Sequence, residues 1–408
     1  MRATDPMLYL VGHAGAIRRI AADRTVLLLG AFLVLSASLA RNYDGAYLGR
    51  ESHVLAHGLV VSVANAALIF FLLYAVARAR KVPAPPAWGG FLSFLGLFWM
   101  TSPMAWLYAV PFERFMAPVD AVEANLWTLA GVALWRVLLI SRALSVLYNV
   151  GWWRVLCLVL CVADVLILVA AATMPGPVVD LMGGLQHAPE HALLSAVRFA
   201  TMFWSVLLAF PLLVAALVAG HGLRGGWAPD AIVRARVLGP TLVGFAGLLA
   251  WIPALAATQT EQANRWRVDS LMKARMVAEG LAELSRHERA DYPPMWDPPP
   301  RSGYADAGPS WREIASALVA AKGEELRPWV IEHYAEKALE AAFREHGIAR
   351  WRQMDGPLLR DQVQWLIREG DRETVATLVE MSTGLEPDLR TRALRALGAP
   401  ADEPRPSE

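Results

Sequence analysis

Four of the nine histidines fall into two i, i+4 pairs, His53 with His57 and His187 with His191. On a helix this spacing sets two imidazoles on one face, where they can share a Zn²⁺ or Cu²⁺ ion. The competing reading leaves all four unliganded at a surface, because Pro189 starts a helix only after His187 and nothing ties the two loops together. Arg136 and Asp164 draw notice by position rather than by spacing. Each interrupts an apolar run, and such a charge at the centre of a bilayer costs roughly 2.5–3.5 kcal/mol on insertion scales. The two are expected to face each other, either as a packing pair or as a gating or proton-linked site. A third group surrounds Pro103, which has no N–H and must bend or break a helix. The carbonyls so freed can be served by Thr101 and Ser102. Broken helices line binding sites in transporters, so Thr101, Ser102, Pro103, Trp106, Glu113 and Arg114 form the candidate pocket. The plainer alternative is an inert bend, with Trp106, Tyr108 and Phe112 as an interfacial aromatic belt.

The elements that must position these residues are long apolar runs. The chain is 56% hydrophobic and only 18% charged, too apolar for an ordinary soluble protein. A bilayer core takes roughly 17–25 residues of helix, and seven runs read as spans: Thr25–Ala40, Val54–Ala77, Gly90–Val110, Ala124–Tyr148, Trp152–Thr173, Phe199–Gly220 and Val237–Ala257. The fold class is therefore all-α, a polytopic membrane domain followed by a soluble helical bundle or short α-solenoid-like domain. The first run is the shortest. Ser36-Ala37-Ser38 resembles a signal-peptide cleavage site, but the 24-residue leader with four arginines is long for that role, and an uncleaved anchor is favoured. Spans four and five form a hairpin, in which Arg136 and Asp164 lie roughly 18 and 14 Å from the outer ends at about 1.5 Å per residue. Arginine reach closes that gap. Arg142, nearer the other end, is expected to snorkel to headgroups. Cys157 and Cys161, the only two cysteines, share one face of span five and read as packing residues rather than a metal or redox pair.

Basic residues at span ends set orientation. Arg2, Arg18, Arg19, Arg24, Arg78, Arg80, Lys81, Arg142, Arg154, Arg224, Arg234 and Arg236 fall on one side, against Arg41, Arg50, Arg114 and Arg198 on the other. This asymmetry puts the amino end in the cytoplasm and, with seven spans, the carboxyl end outside. Both histidine pairs then lie at the outer surface, with Asp44, Glu51, Glu113, Asp120, Glu123, Asp180 and Glu190. Arginine far exceeds lysine, as in GC-rich bacteria, so the expected location is a bacterial inner membrane with a periplasmic carboxyl-terminal domain. Residues 258–408 hold 21 Lys+Arg and 26 Asp+Glu, and this acidic balance argues against nucleic acid as a partner.

The domain reading divides the chain into a leader (1–24), a seven-span domain (25–257), an exit helix with proline-rich linker (258–309), a soluble helical domain (310–398) and a disordered tail (399–408). The exit helix is read over Gln262–Glu288. Five prolines between Pro293 and Pro300 then force extended backbone, a stiff spacer or a recognition segment presenting Tyr292 and Trp296. Ser310-Trp311-Arg312-Glu313 matches a capping box. Further helices are expected over about 325–346, 357–369, 372–383 and 387–397, with Gly347, Gly370, Gly384 and Gly398 at C-cap positions. The last of these faintly resemble HEAT-type repeats, without a clear period.

No zincin, nucleophile-elbow or Walker motif occurs, nor a glycine-rich dinucleotide turn, so no cofactor is expected and the balance leans away from an enzyme. Asp44 in the first outer loop is a feature shared with lipid-linked glycosyltransferases, but those place substantial structure in that loop and here only about a dozen residues separate the spans. The leading expectation is a membrane protein whose exported domain binds a protein or envelope partner. A small transporter or channel using the Pro103 span and Arg136 with Asp164 is the alternative, and a membrane enzyme acting at the outer face the third. The lipid bilayer is the one partner that every reading requires.

Overall fold

The computed structural model describes residues 2, 4–83, 85–173, 189–221, 238–294, 296–299, 308–309, 311–321, 326–331 and 333–334. Every element among them is helical. In chain order they are α1 Asp5–Leu10, α2 Ala14–Ala22, α3 Val26–Asn42, α4 His53–Ala79, α5 Ala87–Trp99, α6 Pro118–Tyr148, α7 Trp152–Thr173, α8 Pro189–His221, α9 Leu238–Leu249, α10 Ile252–Lys273, α11 Val277–Ser285 and α12 Trp311–Ala320. The chain divides into two compact units, Met1–Val178 with Pro189–Gln259, and Val179–Ala188 with Thr260–Glu408.

The first unit is that of a multi-pass helical membrane protein. Five described segments are long and apolar enough to cross a bilayer: His53–Ala79, Ala87–Arg114, Pro118–Tyr148, Trp152–Ala170 and Ala196–His221. A sixth is counted if Thr241–Leu249 and Ile252–Lys273, bent by 43° at their junction, make one span. The straight seventh run of the sequence is thus a bent pair. Val26–Asn42 is apolar but shorter, at 17 residues. Proline opens α6 at its first position, and Asn149 closes it in the left-handed region at φ 51°, its N–H bonding the Ser145 carbonyl.

Burial separates an inner span from outer ones. Of the apolar window of Ala87–Arg114, 78% is buried, against 17% for Ala196–His221. The uncovered faces, with Phe203, Leu207, Phe210 and Val218 on α8 and Val60, Phe71 and Leu72 on α4, are what lipid must cover.

Residues 1–24, read from sequence as a leader, supply two helices to this unit. Tyr9, Ile17, Ile20 and Ala21 are buried in the same core as Leu97, Val132 and Leu139. The spacing of Ile17, Ile20 and Ala21 puts the apolar stripe of α2 on one face and leaves Arg18 exposed. Arg19 closes the base of the α1–α2 pair on the buried Asp5 carboxylate at 2.6 Å. Burial raises the Asp5 carboxyl, yet the Arg19 guanidinium and the Arg2 backbone N–H together hold it below its ordinary value. Gly12 makes the turn at φ +76°, where a side chain is strained and a Cβ would meet Arg142 Cγ at 3.2 Å. Trp135 Nε1 donates to the Leu10 carbonyl at 3.1 Å, and Arg142 Nε to the Gly12 carbonyl at 3.3 Å. At about 1.5 Å per residue, Arg142 and Trp135 stand roughly 9 and 20 Å along α6 from Tyr148. The turn therefore lies within the length of the spans.

The second unit has its own core of Val268, Met272, Val277, Leu281, Leu284, Tyr292, Trp296, Ile314, Leu318, Leu326, Val330 and Tyr334. The exit helix is two helices rather than one. Arg275 takes a left-handed φ of 60° between α10 and α11, and this turn lets Gly280 pack against Met272. The proline stretch is neither spacer nor free recognition segment. Tyr292 and Trp296 stack at 4.9 Å within the core, so the segment read as a linker is part of this unit. α12 starts where the capping box of Ser310 predicts a helix, although Ser310 itself, the tail 399–408 and the helices expected beyond residue 334 lie outside the described residues.

Candidate functional site

The most enclosed of the five described spans is also a broken one. α5 ends at Trp99, the Met100 N–H caps it on the Gly96 carbonyl, and the chain continues as a 3-10 helix over Ser102–Ala109. Pro103 has no N–H to carry the α-helical ladder across this point. The carbonyls left over are met from elsewhere. Tyr9 Oη donates to the Leu97 carbonyl at 2.7 Å, across 88 residues of sequence. Thr101, fully buried, turns its Oγ1–H onto the Phe98 carbonyl at 2.7 Å. The Tyr9 bond replaces the one Leu97 loses when the Thr101 N–H goes to the Phe98 carbonyl, where an unserved carbonyl costs about 1–3 kcal/mol, and the Thr101 hydroxyl adds a second donor at Phe98.

Arg136 comes to this break. Its Nε donates to Thr101 Oγ1 at 3.2 Å, and its guanidinium carbon stands 5.4 Å from the centre of the Phe98 ring, a cation–π contact. Two candidates that the sequence treated separately, the membrane arginine and the proline break, are thus one place. Asp164 is not there. Its side chain is buried on α7, and among the described residues no ion pair joins it to Arg136. In this structure Arg136 turns toward Thr101 and Phe98 and not across the hairpin to α7.

The remaining pocket candidates stand apart. Ser102 is buried and Trp106 is 40% exposed. Arg114 grips Asp44 through Nε at 3.0 Å and Nη2 at 2.6 Å, while Glu113 accepts from Asn125 Nδ2 at 2.6 Å. These two close the far end of the span. There the loop after α3 is held to α10: Thr258 Oγ1 and Gln259 Nε2 donate to the Tyr43 carbonyl at 2.7 and 3.0 Å.

His53 and His57 are both exposed in the first turns of α4. His187 and the side chain of His191 lie outside the described residues. Among the described residues no group of three His, Cys, Asp or Glu is placed to hold a metal ion, and Cys157 and Cys161 are free, half-buried thiols. Sequence reasoning missed Tyr9 altogether. Its one signal was the apolar spacing from Tyr9 through Ile17 to Ile20, which a leader of this charge also carries. No family model, no curated protein and no solved structure matches the chain.

Proposed function

We propose that the membrane unit binds a small organic anion, a carboxylate or phosphate ester, at the break in its third span and moves it across the bilayer. One observation carries this reading. Arg136 stands at the break of the most enclosed span, held by a threonine hydroxyl and an aromatic ring, with no carboxylate bonded to it among the described residues. A guanidinium inside a membrane is costly and is functional by default. Its planar fork suits carboxylate and phosphate oxygens, and interrupted helices are where transporters hold such groups. The partner-binding reading of the second unit is left without its proposed contacts, since Tyr292 and Trp296 are spent in that unit's own core.

Purified protein in nanodiscs, screened by thermal melting against carboxylates and sugar phosphates, tests the site. At least one anion should raise the melting temperature of the native chain, a ligand at 100-fold its Kd contributing about 2.7 kcal/mol. Arg136→Gln should remain folded and lose that response, and proteoliposomes should accumulate the responding anion. A native chain that responds to none, with Arg136→Gln melting far lower, would make Arg136 a structural residue.

The topology belongs to the same proposal: seven crossings of a bacterial inner membrane, α3 being the shortest, with residues 260–408 periplasmic. The distribution of arginine and lysine supports it. An alkaline phosphatase fusion at Glu408 should be active, and bright fluorescence from a GFP fusion there would sink the seven-crossing count.

A further inference from the structure

Beside the α1–α2 turn lies an open groove of about 480 Å³, walled by Val11 and Gly12 on the turn, Trp135, Leu138 and Arg142 on α6, and Trp152 at the start of α7. Its chemistry is divided. Val11 is 74% and Trp135 47% exposed, an apolar wall left uncovered by protein. At the other end stands Arg142, whose hydrogen bond to Gly12 uses only Nε and, among the described residues, leaves both terminal nitrogens of the guanidinium unspent. Among the described residues no carboxylate lines the groove. The Trp152 ring adds a further apolar wall.

The position matches the chemistry. Arg142 lies six residues before the end of α6 at Tyr148, roughly 9 Å along the helix, which is the depth at which a snorkelling arginine meets headgroups. Trp153, 70% exposed, and exposed Arg154 mark the same end as an interfacial belt. It is also the side that carries most of the basic residues, where the leaflet facing them is rich in anionic lipid.

We propose that this groove holds one anionic phospholipid, its phosphate on Arg142 and an acyl chain along Val11, Trp135 and Leu138. The occupant is a lipid rather than a free anion because the guanidinium stands at one end of an apolar channel open to the bilayer. It is anionic rather than zwitterionic because the groove offers positive charge and no carboxylate to receive a choline or ethanolamine head. This site is separate from the Arg136 break and does not depend on what binds there.

Native mass spectrometry of the full chain, delipidated in detergent and titrated with phosphatidylglycerol or phosphatidylcholine, tests it. One phosphatidylglycerol should be retained about ten-fold more tightly than phosphatidylcholine. Arg142→Ala should remove that preference and Arg142→Lys restore part of it. Val11→Trp, which fills the groove without touching a charge, should expel the lipid and keeps the test valid if Arg142→Ala fails to fold. Arg136→Gln should bind phosphatidylglycerol as the native chain does, and inorganic phosphate at millimolar concentration should not compete. Equal retention of both lipids, undiminished binding by Arg142→Ala or Val11→Trp, or an equal loss from Arg154→Ala would each overturn the proposal, the last by showing a diffuse basic belt in place of a site.

Discussion

Proline interrupts this chain in both units, and an arginine attends each interruption. In the second unit Arg289 Nη1 donates to the Pro293 carbonyl at 3.1 Å, and Nη2 to those of Pro294 and Trp296 at 2.8 and 2.9 Å. Tyr334 Oη adds a bond to the Pro299 carbonyl at 2.7 Å. The non-helical backbone there has carbonyls to spare, and the guanidinium is consumed in serving them. At the break of the third span the backbone carbonyls are served by Tyr9 and Thr101, both neutral. Arg136 receives only the threonine oxygen. The same residue type next to the same kind of defect is a brace in one unit and a charge held in reserve in the other. What separates them is how many acceptors the fold assigns to each guanidinium.

Removing the brace should produce the largest effect. Arg289→Ala removes three charge-assisted hydrogen bonds, but the Pro293 carbonyl keeps the Trp296 N–H and Pro294 is exposed to water, so a loss of about 1.5–3 kcal/mol from the second unit is expected, mostly from the Trp296 carbonyl. Denaturant unfolding of the full chain followed by tryptophan fluorescence reads this, because Trp296 and Trp329 belong to or pack on that core. Arg289→Lys should recover less than half, since an ammonium lacks the fork. An unchanged transition in Arg289→Ala would erase the contrast, leaving both arginines unspent. A smaller loss, about 1 kcal/mol, is expected of Tyr9→Phe, which deletes one neutral bond to Leu97 and leaves the Arg136 contact with Thr101 in place. Its anion response in the melting screen should survive. If Tyr9→Phe abolished that response while the fold held, the phenol would belong to the binding site and not merely to the repair of the helix.

The spans were legible because lipid demands long apolar runs with internally bonded backbones. The break at Pro103 was legible because proline's missing N–H is a local property, and so was the service of Thr101 three residues from Phe98. The partner of Arg136 was not. Charge complementarity pointed to Asp164 on the neighbouring helix of the hairpin, but the rotation of α6 about its axis decides which neighbour the guanidinium meets, and depth along the helix does not report rotation. The turn at Arg275 carried no signal either, since neither glycine nor proline marks it and a lysine- and arginine-bearing helix reads through it. In the proline stretch, composition ruled out a helix but gave no sign of the turn that the Trp296 N–H closes on the Pro293 carbonyl at 3.1 Å. It said nothing of where Tyr292 and Trp296 would point, because burial of side chains along a non-helical segment depends on what the chain returns to cover it with.

The bond between Tyr9 and Leu97 also sets an order of events during synthesis. Tyr9 leaves the ribosome 88 residues ahead of its acceptor, an interval of roughly 4–18 s at about 5–20 residues per second. Trp135 and Arg142, which hold the turn at Leu10 and Gly12, follow later still. Through that interval the first two helices have neither their hydrogen-bond partners nor the apolar surface that later covers Ile17 and Ile20. α1 and α2 can therefore complete their packing only after α6 has been made, so two helices that precede every span are finished later than the spans that follow them.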